Sequence, residues 1–174
     1  MKYIVKFFVV TFFLLISTHT FAEQKIVVLD LTYVLNNSKA GKGAQDFLQK
    51  TFEENKKKFL KMEKSLKKDE GDLLAKKNVL SKEDYGEKMS ALRKSNLDYQ
   101  KKRRESIDKI TVLRSNARET LLKKIIPIVE AYTKENDISL VIDKKYILGG
   151  NPKIDITKLI VEKLNKELPS LNLQ

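Results

Sequence analysis

The residues able to do chemistry in this chain are few in kind. Its only histidine, His19, lies at the end of an apolar N-terminal stretch, and there is no cysteine. Beyond Ala22 the chain therefore lacks the commonest general base, the usual zinc ligands, a thiol nucleophile and any disulfide framework. Neighbouring Ser and Lys residues and nearby carboxylates do occur. With 33% of all residues charged, such neighbours arise by chance and read as solvated surface. Gly149-Gly150 lacks a following Lys-Ser/Thr and a strand–loop–helix frame, so it reads as an ordinary turn rather than a phosphate loop. Neither an enzyme nor a cofactor or metal site is expected.

What remains is cationic surface. The formal net charge is +12, and between Lys50 and Arg118 alone 21 Lys and Arg stand against 12 Asp and Glu. That segment thus holds +9, whereas the rest of the chain beyond Ala22 holds +1. A basic surface attracts nucleic acid, anionic lipid or acidic protein. Lys56, Lys57, Lys67 and Lys68 are the candidate contacts for an acidic partner. The bland alternative is that they only solvate a coiled coil.

The first residues read as an export signal, which leaves nucleic acid the least fitting partner. Lys2 and Lys6 precede an apolar run from Phe7 to Ile16, and Thr20-Phe21-Ala22 gives a small-residue cleavage site. A membrane anchor is the rival reading, but the run is about half of the roughly 20 residues a spanning helix needs. The chain then divides into a β-rich body, residues 23–38 and 137–174, and a helical arm, residues 39–136.

Patterning places the elements. Ile26-Val27-Val28-Leu29 and Ile138-Ser139-Leu140-Val141-Ile142 are short, β-branched and strand-like. Thr32 to Asn37 forms a brief helical turn, and Tyr146-Ile147-Leu148 supplies a third short strand. Between the first two strands a seam with alternating four- and three-residue steps runs Leu48, Phe52, Asn55, Phe59, Met62, Leu66, Asp69, Leu73. It fails around Lys76-Lys77-Asn78, the expected hairpin tip, and Ser81-Lys82-Glu83-Asp84 is a capping box that opens a second helix. The returning seam reads Tyr85, Met89, Leu92, Asn96, Tyr99, Arg103, Ser106, Ile110, Leu113, Ala117, Leu121. The two helices must run antiparallel, and an outgoing helix of about 40 residues would reach roughly 60 Å. Pro127 predicts a bend, and Asp155 or Thr157 a cap for a last helix. The fold class is α+β, and so few strands call for self-association.

Several of these stretches resemble the Skp/OmpH family of periplasmic chaperones for outer-membrane proteins. The resemblance is carried by Lys25-Ile26-Val27-Val28-Leu29-Asp30, Val34-Leu35-Asn36-Asn37-Ser38 and Ala40-Gly41-Lys42. At the far end Ile138 to Asp143, Tyr146-Ile147-Leu148 and Asp155-Ile156-Thr157 carry it. It implies a homotrimer with a small shared β-barrel body and three helical-hairpin arms around a cavity. It implies an ATP-independent holdase in the periplasm whose partners are unfolded outer-membrane β-barrel proteins. Anionic lipid or lipopolysaccharide is a further implied partner, with Arg103 and Arg114 in comparable places, although Leu113 stands where a paired Arg is expected. The alternative is a structural or envelope-binding coiled coil without clients.

Overall fold

A computed structural model of the chain describes residues 24–173. The export-signal reading falls on residues outside that range. In chain order the elements are β1 (Lys25–Leu29), α1 (Leu31–Asn37), α2 (Lys39–Ala75), α3 (Lys82–Glu135), β2 (Ile138–Asp143) and α4 (Thr157–Glu167), with 3₁₀ turns at Lys144–Tyr146 and Pro152–Ile154.

β1 and β2 pair in parallel, with Ile26 opposite Leu140, Val28 opposite Ile142 and Leu29 opposite Asp143. Parallel strands need a long crossover, because the chain must return to the same end of the sheet. Here the crossover is the helical hairpin itself, so the sheet clamps both roots of the arm. The turn out of α3 uses Asp137 at φ 53°, a left-handed conformation that stops a helix within one residue.

Local chemistry explains each boundary. Asp30 caps α1 by accepting the Tyr33 N–H at 2.7 Å. Ser38 then closes α1, its N–H bonding the Val34 carbonyl, and opens α2, its hydroxyl accepting the Gly41 N–H at 3.1 Å. At the tip, Ser81 accepts the Asp84 N–H at 3.0 Å, as the capping-box pattern predicts. α3 runs unbroken through Pro127, which is exposed, so the hydrogen bond it forfeits lies on the solvent side.

The core gathers residues that are far apart in the chain. Leu29, Val34, Leu35 and Ala40 from the N-terminal side meet Leu121, Ile125 and Ile128 of α3 and Ile156, Ile160 and Leu164 of α4. The root of α3 therefore shares one core with the strands. No described buried side-chain polar atom is left without a partner.

One expectation fails. Tyr146-Ile147-Leu148 is no strand: the Asp143 carboxylate accepts the Lys145 N–H, and the chain coils into a 3₁₀ turn. The far edge of β1 is instead met by the last segment, through a Val28–Asp155 bridge and the Ile156 N–H on the Val28 carbonyl at 2.9 Å.

Candidate functional site

The candidate contact residues all lie on the arm, α2 and α3. Near the root, small residues are buried on both sides of the arm. Gly41, Ala44 and Ala117 are buried, and Leu48 and Leu121 close over them. Gly41 is obligatory here, since a Cβ on it would lie 1.9 Å from the Leu35 carbonyl oxygen.

A groove runs along the same stretch. An open groove of about 780 Å³ has Leu48, Phe52, Ile110 and Leu121 along its walls and Arg114 and Arg118 among its lining. Phe52 keeps 47% of its surface exposed, although it occupies a seam position. Farther out the Phe59 and Tyr99 rings meet edge to face at 6.0 Å, which fixes the antiparallel register of the two seams. From Tyr85 to Leu121 every position of the returning seam is at least half-buried except Arg103, and every residue between those positions is exposed. On the outgoing helix, Asp69 and Phe52 are the exposed seam positions.

The four candidate lysines are all exposed on α2. They do not form one cluster. Lys56 and Lys67 share one face and Lys57 and Lys68 another, each pair three turns or roughly 16 Å apart. Lys67 is the engaged member, bonded to Glu63 at 2.8 Å. That hydrogen bond and charge hold the Glu63 carboxyl below its ordinary range, with a further contribution from the Arg103 charge on the facing helix. Arg103 and Arg114 are both exposed on α3, again three turns apart on one face, and Arg114 lines the root groove beside Arg118.

The structure adds apolar residues that the seam pattern passed over. Leu60, Leu97, Ile107 and Val112 lie off the seam with about half or more of their surface exposed, set among the lysines. Their off-seam spacing on charged helices was the available signal. The body shows a second apolar set, with Ile26, Leu140, Tyr146 and Leu148 all exposed. Among the described residues no group of acidic side chains is placed to hold a metal, and no helix is long and apolar enough to cross a membrane.

A two-stranded parallel sheet whose crossover is a long, basic helical hairpin defines an arm-bearing α+β protein. The family described as outer membrane protein (OmpH-like) matches residues 25–164, and the chain belongs to it. A Skp-like protein of Pseudomonas aeruginosa is 25% identical over 173 residues, covering 95% of this chain and 99% of its own. The crystal structure of a candidate outer membrane chaperone (OmpH-like) from Caulobacter crescentus CB15 superposes with a TM-score of 0.79 over 90% of this chain and 92% of that one. At 17% identity that likeness speaks for the fold.

Proposed function

We propose that the chain is a non-enzymatic, ATP-independent holdase of the periplasm that binds unfolded outer-membrane β-barrel proteins between its arms and prevents their aggregation. The observation that carries the reading is the surface of the arm, where Leu60, Leu97, Ile107 and Val112 are exposed among excess lysines and arginines. An unfolded barrel protein presents apolar residues in alternation and is often acidic. Scattered apolar contacts would hold such a chain without fixing one structure, and the basic field would raise its encounter rate.

Self-association belongs to the same proposal. Among the described residues β2 pairs only with β1, and the exposed Ile26, Leu140, Tyr146 and Leu148 lie on or next to this small sheet. Open strand edges and apolar faces of this kind are covered by association, and the family resemblance supports a homotrimer with the arms projecting from a shared body. Lys56, Lys57, Lys67 and Lys68 are proposed as steering contacts, and Arg103 and Arg114 as contacts for anionic lipid or lipopolysaccharide.

The test is to dilute a urea-unfolded outer-membrane barrel protein into buffer with and without the purified chain, in the absence of nucleotide. Light scattering should be suppressed once the chain is present in stoichiometric amounts. Unchanged scattering at several-fold excess would leave the structural coiled coil as the better reading.

A further inference from the structure

The groove at the root of the arm is mixed in character. Phe52 and Ile110, both partly exposed, give it apolar wall, while Arg114 and Arg118 line it from α3, one helical turn apart. Among the described residues neither guanidinium is paired with a carboxylate. Asp46 is the one acidic side chain in the lining, so two positive charges stand there against one negative. Side-chain amides complete the lining. Gln45 donates to Asn36 at 2.9 Å and Gln49 donates to Glu53 at 3.2 Å. The carbonyl oxygens of both glutamines are left without a partner among the described residues. At about 780 Å³ the groove has the size of a ligand pocket.

We infer that this groove binds the C-terminal end of an unfolded polypeptide, with the terminal carboxylate on Arg114 and Arg118 and an apolar last side chain against Phe52 and Ile110. A carboxylate matches the planar fork of a guanidinium and takes charge-assisted hydrogen bonds from it. Its single negative charge equals the excess positive charge of the lining. The amides favour a peptide over a lipid. An acyl chain has no N–H to offer the Gln45 and Gln49 carbonyls, whereas a peptide backbone has one at every residue but proline. Capture of this end would also suit a barrel-protein client. A barrel closes by pairing its terminal strands, so a held C-terminus keeps the chain open for the scattered contacts along the arm. The inference rests on the holdase reading for the identity of the polypeptide, but the groove is tested with a peptide.

The experiment uses the full chain and a fluorescein-labelled hexapeptide ending in phenylalanine, made both as the free acid and as the C-terminal amide. The double variant Arg114→Gln/Arg118→Gln is compared with it; both side chains are exposed, and circular dichroism checks that the variant is folded. Anisotropy should show saturable binding of the free acid to the unaltered chain, and binding of the amide at least about tenfold weaker, because hydrogen bonds to a charged group are lost. The variant should bind acid and amide alike, as weakly as the unaltered chain binds the amide. Equal binding of acid and amide by the unaltered chain would overturn the inference whether or not the variant folds, and so would a preference for the acid that survives in the folded variant. Vesicles of phosphatidylglycerol test the other ligand class: binding to them that needs both arginines, without binding of the acid, would assign the groove to lipid and overturn the inference. A changed mass of the variant in light scattering would make the groove a contact between copies, with the same consequence. Aggregation suppression by the unaltered chain is read in parallel. Its loss would count against the holdase reading, whereas its persistence without preference for the acid would count against the groove alone.

Discussion

Gly41 and Asp155 show how much of this fold rests on single atoms. With the Leu35 carbonyl 1.9 Å from where its Cβ would lie, Gly41→Ala forces backbone to move at the junction of α1 and α2. The variant should lose about 1–3 kcal/mol in urea unfolding. Gly43→Ala, two residues on in the same helix with nothing within 4 Å of the new Cβ, should be neutral or gain about 0.5–1 kcal/mol. Asp155 binds the last segment to the sheet: it accepts the Thr157 N–H at 2.9 Å and Lys144 Nζ at 2.7 Å, while the Thr157 hydroxyl accepts the Asp30 N–H at 2.8 Å. Burial alone would raise its pKa, but the hydrogen bonds from Lys144 and Thr157 outweigh it and hold the carboxyl at about 2. A depressed carboxylate contributes stability that is present above the unfolded value near 4 and is lost as pH falls towards 2. Discounted for the half-exposed lysine, the contribution is on the order of 1–2 kcal/mol. Unfolding at pH 6 and pH 2.5 should therefore show a larger acid loss for the unaltered chain than for Asp155→Asn, and equal losses would contradict it. The sequence indicated a capping role near Asp155 but not which group it would serve. Ile156 occupies the cap position, and Thr157 turns its hydroxyl to Asp30, a partner 127 residues away. Gly41 was visible only as part of a motif, because the clash that requires it exists only once α1 has folded back on α2.

At the scale of elements, heptad-like spacing was enough to locate both long helices, the tip at residues 76–81 and the half-buried positions of the returning seam. Periodicity carries that information because an antiparallel pair buries one stripe of each partner. It says less about the surface beside that stripe, so the groove at Phe52 and Arg114 was not legible. The absent third strand has a similar cause. Tyr146-Ile147-Leu148 has strand-like composition, but Lys144 and Lys145 are drawn onto Asp155 and Asp143 and coil the chain before it can pair. Packing along the arm is uneven. Leu113, Ala117, Leu121, Ile125 and Ile128 are buried at the root of α3, whereas nearer the tip its seam is only half-buried. Amide exchange should accordingly be fast around Asn78 and slow around Ile125 and Ile142. Uniform protection from root to tip would mark a rigid spacer and count against adaptable arms.

For the whole molecule, the decisive property is where the charge lies relative to the apolar surface. The +9 between Lys50 and Arg118 covers the arm and leaves the rest of the chain beyond Ala22 near neutrality. Electrostatics of this layout act on encounter more than on release. Reversing Lys56, Lys57, Lys67 and Lys68 to Glu should slow capture of an acidic unfolded client in stopped-flow fluorescence, with helicity and oligomeric state unchanged because all four side chains are exposed. Raising salt to physiological strength, where screening shortens the field to about 8 Å, should slow the unaltered protein in the same direction. Equal, salt-independent rates would assign the charge to solubility alone. The central claim, that the arms hold an unfolded chain in solution, is tested most directly by mixing the purified protein with an unfolded outer-membrane barrel protein and measuring the mass of what elutes by size-exclusion chromatography with multi-angle light scattering. The account predicts a soluble complex of one client with an intact oligomer. A client that elutes as aggregate or is lost from solution, beside protein of unchanged mass, would contradict it.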